Sequence, residues 1–177
     1  MDPGNYNANE TLRDGTVVAI RSIRREDSSS VLAAFKSMDK ESVYRRFFSP
    51  KKELSPAELE QLTDVDFNKV VALVVTTQTA EGEVLIGGGR YAVDDPRSGN
   101  AEVAFMTRSN YRGLGIASLI LSHLACIARD AGIRRFGADV LAENQPMLAV
   151  FRRSGLPMQL RRDGSILHLT LSLQAEP

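Results

Sequence analysis

The chain has 177 residues, 43% of them hydrophobic and 25% charged, the proportions of one ordinary globular domain. Its 22 Lys and Arg balance 22 Asp and Glu, which argues against a nucleic-acid binder with a broad cationic surface and against a charged disordered tail. One cysteine (Cys126) and two distant histidines (His123, His168) leave no internal disulfide, no multi-cysteine metal site and no zinc-hydrolase motif.

The first residues, Met1 to Thr11, are polar, rich in Asn and without periodicity. They read as a flexible lead-in with no signal-peptide profile. No apolar run approaches the ~18 residues of a membrane span, so a reduced, cytoplasmic location and no membrane partner are expected. After the turn at Asp14-Gly15, the residues Val17, Val18 and Ile20 predict a first strand. Asp27 stands where it can cap a helix with Val31, Leu32, Phe35 and Met38 on its apolar stripe. Arg45-Arg46-Phe47-Phe48 predicts a second short helix that stops before Pro50. Ser55-Pro56-Ala57-Glu58 has the cap, the early Pro and the third-position Glu of a helix start, with Leu59 and Leu62 facing inward.

The pattern then changes to strands. Val70–Thr76, Val84–Val93 and Ala101–Thr107 are rich in β-branched and apolar residues and separated by turns, which predicts a three-stranded antiparallel meander. From Gly115 onward Ile116, Leu119, Ile120, Leu124, Ile127 and Ala128 recur at helical spacing until Gly132. Arg134–Val140 is a further strand, Asn144 caps another helix that ends at Gly155 and Pro157, and Ser165–Leu173 alternates as a last strand. The order predicts a single mixed α/β domain of the α+β type.

One segment carries most of the functional information. A strand ends at Thr107, a turn follows, and Tyr111-Arg112-Gly113-Leu114-Gly115-Ile116-Ala117-Ser118 opens a helix. Free N–H groups and the helix dipole make such a start a natural seat for phosphate. A nucleoside-triphosphate loop would need Gly-Lys-Ser or Gly-Lys-Thr, and no lysine is present. A dinucleotide fingerprint would need a third glycine where Ser118 stands, and its acidic partner would end the next strand, which Asp139 does not.

Arg112-x-x-Gly115-x-Ala117 matches the R/Q-x-x-G-x-G/A signature of the GNAT acetyltransferase superfamily, whose turn grips the pyrophosphate of coenzyme A. Asn144-x-x-Met147-x-x-x-Phe151-x-x-x-Gly155 resembles a later motif of that superfamily, in which an Asn opens a helix lining the pantetheine arm. At finer grain the chain resembles the acetyltransferase domain of bacterial Pat-type protein lysine acetyltransferases. Ser42 to Phe48, Gly87-Gly88-Gly89-Arg90-Tyr91, Ala101 to Phe105 and Glu143-Asn144 carry that likeness. The resemblance runs from Arg13 to about Leu173, so residues 12–173 are expected to form one GNAT-like domain, followed by a short tail at 174–177. It implies a central, mostly antiparallel mixed sheet flanked by helices, and acetyl-CoA as co-substrate. It also implies an amine acceptor, a protein lysine such as one on an AMP-forming acyl-CoA synthetase. A small-molecule amine, or a sensor that binds acyl-CoA without turnover, are the alternatives. Nucleic acid is not an expected partner.

In the Pat-type pattern the residue matching Glu102 serves as base. On the strand, Glu102 shares a face with Ala104 and Met106, and apolar company raises a carboxyl pKa toward useful base strength. The plainer reading is a solvated Glu, or one paired with Arg90. Phe105, Met106 and Thr107 match the segment whose main chain pairs with pantetheine; their side chains also suit an ordinary core. Residues Arg112 to Ser118, Asn144 and Phe151 complete the expected cofactor site. Phe151 stands where many relatives carry a Tyr acid, which leaves Tyr111, Tyr91, Ser118 or water as substitutes with none preferred, or no dedicated acid, since coenzyme A thiol is a fair leaving group. Cys126 reads as a small packing residue and His123 as a surface or packing residue. Of the 22 basic residues 17 are Arg, so Arg45-Arg46 and Arg24-Arg25 are either steering charges or solvated ones.

Overall fold

The computed structural model describes residues 1–47 and 51–174. Its frame is one eight-stranded sheet, assembled around the apolar runs of the middle of the chain. The strands are β1 (Asn7–Thr11), β2 (Val17–Ser22), β3 (Val70–Thr79), β4 (Gly82–Ala92), β5 (Asn100–Thr107), β6 (Arg135–Leu141), β7 (Met158–Asp163) and β8 (Ile166–Ser172). Their order across the sheet is β1-β2-β3-β4-β5-β6-β8-β7. Every neighbouring pair is antiparallel except β5 and β6. That parallel pair needs a crossover, and α4 (Ile116–Asp130) supplies it. The mostly antiparallel mixed sheet with helices is as the sequence predicts.

Helices cover both faces. On one, α4 and α5 (Gln145–Arg153) pack over the central strands, where Ile120, Leu124, Phe136, Leu148 and Phe151 are buried. A helix can lie this close because β4 carries glycine there. A Cβ on Gly89 would stand 2.5 Å from Ile120 Cγ2 and 2.9 Å from a Phe105 ring carbon. The opposite face is covered only over β2–β5, by α1 (Ser28–Ser37), α2 (Lys40–Phe47) and α3 (Pro56–Thr63). Ser55 caps α3 by accepting a hydrogen bond from the Glu58 N–H at 3.1 Å, as its motif predicts. The predicted end of the second helix, at Phe48 and Pro50, lies outside the described residues, as do residues 175–177 of the tail.

Several expectations need correction. The stretch read as a lead-in contains β1, because long-range contacts that no local pattern announces hold it. Ser22 Oγ takes the Tyr6 N–H at 2.9 Å and donates to the Pro3 carbonyl at 2.7 Å. Tyr6 also bonds His123 Nδ1, and His123 Nε2 meets Glu10 at 3.0 Å, which fastens β1 to α4. His123 is therefore a packing residue. Strand β7 has no counterpart in the prediction, since five of its six residues are exposed and no alternation marks it. Cys126 is exposed on the outer side of α4 instead of packing in the core. The helix period puts it opposite Leu124 and Ile127, which are buried.

Asp27 does not cap α1 with its side chain. Its carboxylate takes both guanidinium nitrogens of Arg21 at 2.8 Å and the Arg24 N–H at 2.8 Å. Burial alone would raise this carboxyl pKa, but Arg21 and the Arg24 N–H outweigh it and hold it low. A lowered folded-state pKa gives stability that is full above the ordinary Asp value and is lost as pH falls through the folded one. Both side chains of the pair are 9% exposed. Asp27→Ala would strand Arg21, leaving it the Ser22 carbonyl and Glu83, which is half open to solvent. The expected loss is about 3–5 kcal/mol by urea denaturation at pH 7, shrinking toward acid; an unchanged midpoint would overturn this account.

Candidate active site

The site grows from the one place where the sheet opens. Strand β5 pairs with β6 only from Asn100–Arg135 to Glu102–Gly137, yet β5 runs on to Thr107 and β6 to Leu141. Beyond Glu102 the two strands diverge and leave main-chain groups of each facing a gap. A cavity of about 640 Å³ fills this gap and passes from the glycine turn to the face that carries Glu102.

Glu102 sits at the apex of the divergence. Its carboxylate lies over Gly137, where a Cβ would stand 2.4 Å from Oε1. Isolated glycine inside a strand is the signal for such a close approach. Gly137 carries that signal in the sequence. Glu102 is exposed to solvent where it lines the cavity. What burial its carboxyl has raises its pKa from the ordinary value, Asp139 and Asp94 raise it further, and His168 opposes them. Asp139 is hydrogen-bonded to His168 Nδ1 across the β6–β8 pair. Among the described residues Glu102 forms no ion pair with Arg90 or any other cation. A carboxylate so placed is a stronger base than an ordinary one.

The other end of the cavity is the glycine turn. Gly113 and Gly115 have φ of +75° and +92°, so the turn swings the first N–H groups of α4 toward the cavity. Arg112 is tied to Asp39, the residue before α2, and donates to Ser109 Oγ at 3.0 Å. A second cation, Arg13, stands beside it: its Nε is 3.5 Å from where a Gly115 Cβ would be, and its N–H donates to the Leu114 carbonyl. Pairing of β1 with β2 brings Arg13 here across a hundred residues, a contact invisible to local pattern.

The structure brings nearly all the predicted site residues to this one cavity. Glu102, Phe105, Met106, Thr107, Arg112, Gly113, Gly115, Ile116, Ala117, Ser118, Asn144 and Phe151 line it. Leu114 does not; its side chain packs against the core and only its carbonyl serves the turn. Asn144 caps α5 by accepting the Met147 N–H at 3.3 Å. Phe151 is 1% exposed and packs at 5.9 Å from the Phe105 ring, so it shapes the wall and has no proton to give. Tyr91 is buried against Phe136, away from the cavity, with its hydroxyl pKa pushed up to about 12 by burial.

The sequence profile of the acetyltransferase (GNAT) family matches residues 40–156, two thirds of the chain. The chain belongs to the GNAT acetyltransferase family. An acetyltransferase of Pseudomonas aeruginosa is 33% identical over 139 residues, 78% of this chain and 74% of its own. The acetyltransferase Pat of Mycolicibacterium smegmatis is 33% identical over 144 residues, 81% of this chain but 42% of that protein. The crystal structure of the GNAT domain of S. lividans PAT superposes with a TM-score of 0.85 at 32% identity, covering 94% of this chain and 96% of that one. Among the described residues no helix is long and apolar enough to cross a membrane.

Gly137→Ala tests the seat of Glu102. The clash falls on the far end of a flexible side chain, so the fold should hold while the carboxylate moves. We expect a stability change under about 1 kcal/mol with acetyltransferase activity down roughly 10–100-fold. Retained activity would show that the carboxylate position is unimportant.

Proposed function

We propose that this GNAT acetyltransferase moves the acetyl group of acetyl-CoA directly onto an amine, a protein lysine, with Glu102 as general base. The observation that carries this reading is one cavity with a phosphate-type turn at one end and a carboxylate of raised pKa at the other. The residues suit the co-substrate: N–H groups at Gly113 to Ser118 with Arg13 and Arg112 for its phosphates, and the divergence between β5 and β6 for its pantetheine arm. Acetyl-CoA supplies the acyl group already activated as a thioester.

Glu102 takes one proton from the acceptor ammonium, whose ordinary pKa is about 10.4. The freed nitrogen bonds to the thioester carbon and the carbon–sulfur bond breaks. A main-chain N–H of the Phe105–Thr107 stretch that faces the divergence is the donor for the negative charge that builds on the carbonyl oxygen. The nitrogen, now bonded to the acyl carbon, sheds its second proton, which water relays to the departing coenzyme A thiolate, since Phe151 holds none to give. The likeness to Pat supports a protein acceptor, with AMP-forming acyl-CoA synthetases as the first proteins to try.

Thiol release from acetyl-CoA with a panel of proteins and free amines tests the proposal. In Glu102→Gln, kcat/KM should fall about 10²–10⁴-fold. Because the base must be ionised, wild-type activity should fall off in acid at a pH above the ordinary carboxylate range, and this limb should vanish in the variant. Asp139→Asn should move the limb to lower pH by removing a neighbouring negative charge. Full activity of Glu102→Gln at every pH would refute the base assignment. Separately, Gly115→Trp forces a bulky residue into φ +92° and should weaken coenzyme A binding by more than about tenfold in calorimetry; equal affinity would refute the turn assignment.

A further inference from the structure

Three arginines of the cavity wall are not used by the chemistry above. Arg45 and Arg46 come from the last turn of α2, and Arg90 comes from β4. Arg90 lies opposite Ala104, and Ala92 lies opposite Glu102, so Arg90, Ala104 and Glu102 share one face of the sheet. The small side chain of Ala104 leaves the space between the cation and the carboxylate open. Arg45 is occupied by Glu41 at 2.5 Å. Arg46 and Arg90 have no hydrogen bond or ion pair among the described residues, and the Arg46 guanidinium leans on the Phe47 ring at 5.1 Å. Both are half-buried, and each charge is disfavoured by that burial; Arg46 is further disfavoured by Arg90. Two like charges held together at a cavity wall with no counter-charge ask for an anion from outside.

The opposite flank has the reverse sign. Asp139 and Asp94 gather around Glu102, and only His168 offsets them. The acceptor end of the cavity is thus polarised across Ala104, negative where the amine must be deprotonated and positive at α2 and β4. The phosphates of the co-substrate are accounted for elsewhere, at Arg13 and the glycine turn.

Resting on the acetyl-transfer reading above, we propose that Arg46 and Arg90 form a carboxylate-binding subsite for the acceptor, which is an amine carrying a carboxylate beside it. That carboxylate belongs either to an acidic side chain next to a target lysine or to the acceptor's own amino-acid carboxyl group. The two sources share one chemistry, a planar carboxylate gripped by guanidinium nitrogens while the ammonium faces Glu102.

The test uses matched acceptors that differ only in this charge. One pair is Nα-acetyl-lysine and its methylamide; the other is a lysine peptide with Asp or Asn beside the lysine. Acetyl transfer is measured for each with wild type, Arg46→Met, Arg90→Met and Arg90→Lys. In wild type the carboxylate-bearing member of at least one pair should be favoured by about tenfold or more in kcat/KM, the size expected of a charge-assisted contact. The preference should collapse to about one in both Met variants and return in part in Arg90→Lys. The favoured pair identifies the source. Equal kcat/KM within both pairs in wild type, or a preference untouched by Arg46→Met and Arg90→Met, would overturn the subsite. If no amine is acetylated, the acetyl-transfer reading fails by itself. Calorimetric titration of the same pairs into the coenzyme A-saturated protein then decides the subsite without turnover, by the same preference and its loss in the two variants.

Discussion

Everything distinctive in this molecule depends on where one strand pair stops. Antiparallel pairing carries the sheet from β1 to β5 and again from β6 to β7, but the parallel contact between β5 and β6 ends after three residue pairs. A continuous ladder would satisfy the β6-facing main-chain groups of Val103 to Thr107 and leave no room between the strands. By ending at Glu102 and Gly137, the pairing frees those N–H and C=O groups without burying them unpaired, because the gap is a cavity open to water and ligand. The same break fixes the chemistry. Glu102 is the last paired residue, so its backbone is held by the ladder while its side chain reaches the opening.

The helices serve this break. Helix α4 must both return the chain to a parallel neighbour and aim its N-terminus at the gap, and the glycines of β4 let it lie close enough to do so. Ile120 could not seat against β4 if residue 89 carried a Cβ. Helix α5 closes the other side, with Phe151 locked against Phe105. Packing of these two aromatic rings thus sets the width of the opening. That explains why a wall residue that donates nothing is among the most buried in the chain.

Much of this was legible in local pattern. The meander β3–β5, the helix α4 with its glycine turn, and the Asn144 cap each rest on neighbours in sequence, where periodicity and turn chemistry speak clearly. What escaped was long-range. Strand β1 is ordered by Tyr6, His123 and Ser22 across up to 117 residues of chain. Arg13 reaches the glycine turn only because β1 and β2 pair. Asp27 looked like a cap because it precedes a helix, but an arginine six residues earlier offered a bidentate partner worth more than one capping bond. Edge strand β7 has little apolar side to show, as its partner β8 supplies the buried face. Gly137 alone was readable and missed, a lone glycine in a strand that marks a neighbour's side chain.

The arginine bias of the composition now has a physical reading at particular positions. A lysine in the place of Arg46 or Arg90 would feel burial more strongly, since an ammonium shifts its pKa readily when desolvated, and would offer a carboxylate a point charge in place of a planar fork. A guanidinium keeps its charge under the same burden. Arg21 spends that charge inside the fold, on Asp27 and Glu83. Arg46 and Arg90 keep theirs at the cavity wall. A chain of zero net charge can in this way hold a positive flank and a negative flank on either side of Ala104. It is the placement of the charges, rather than their sum, that gives the acceptor end of the site its polarity.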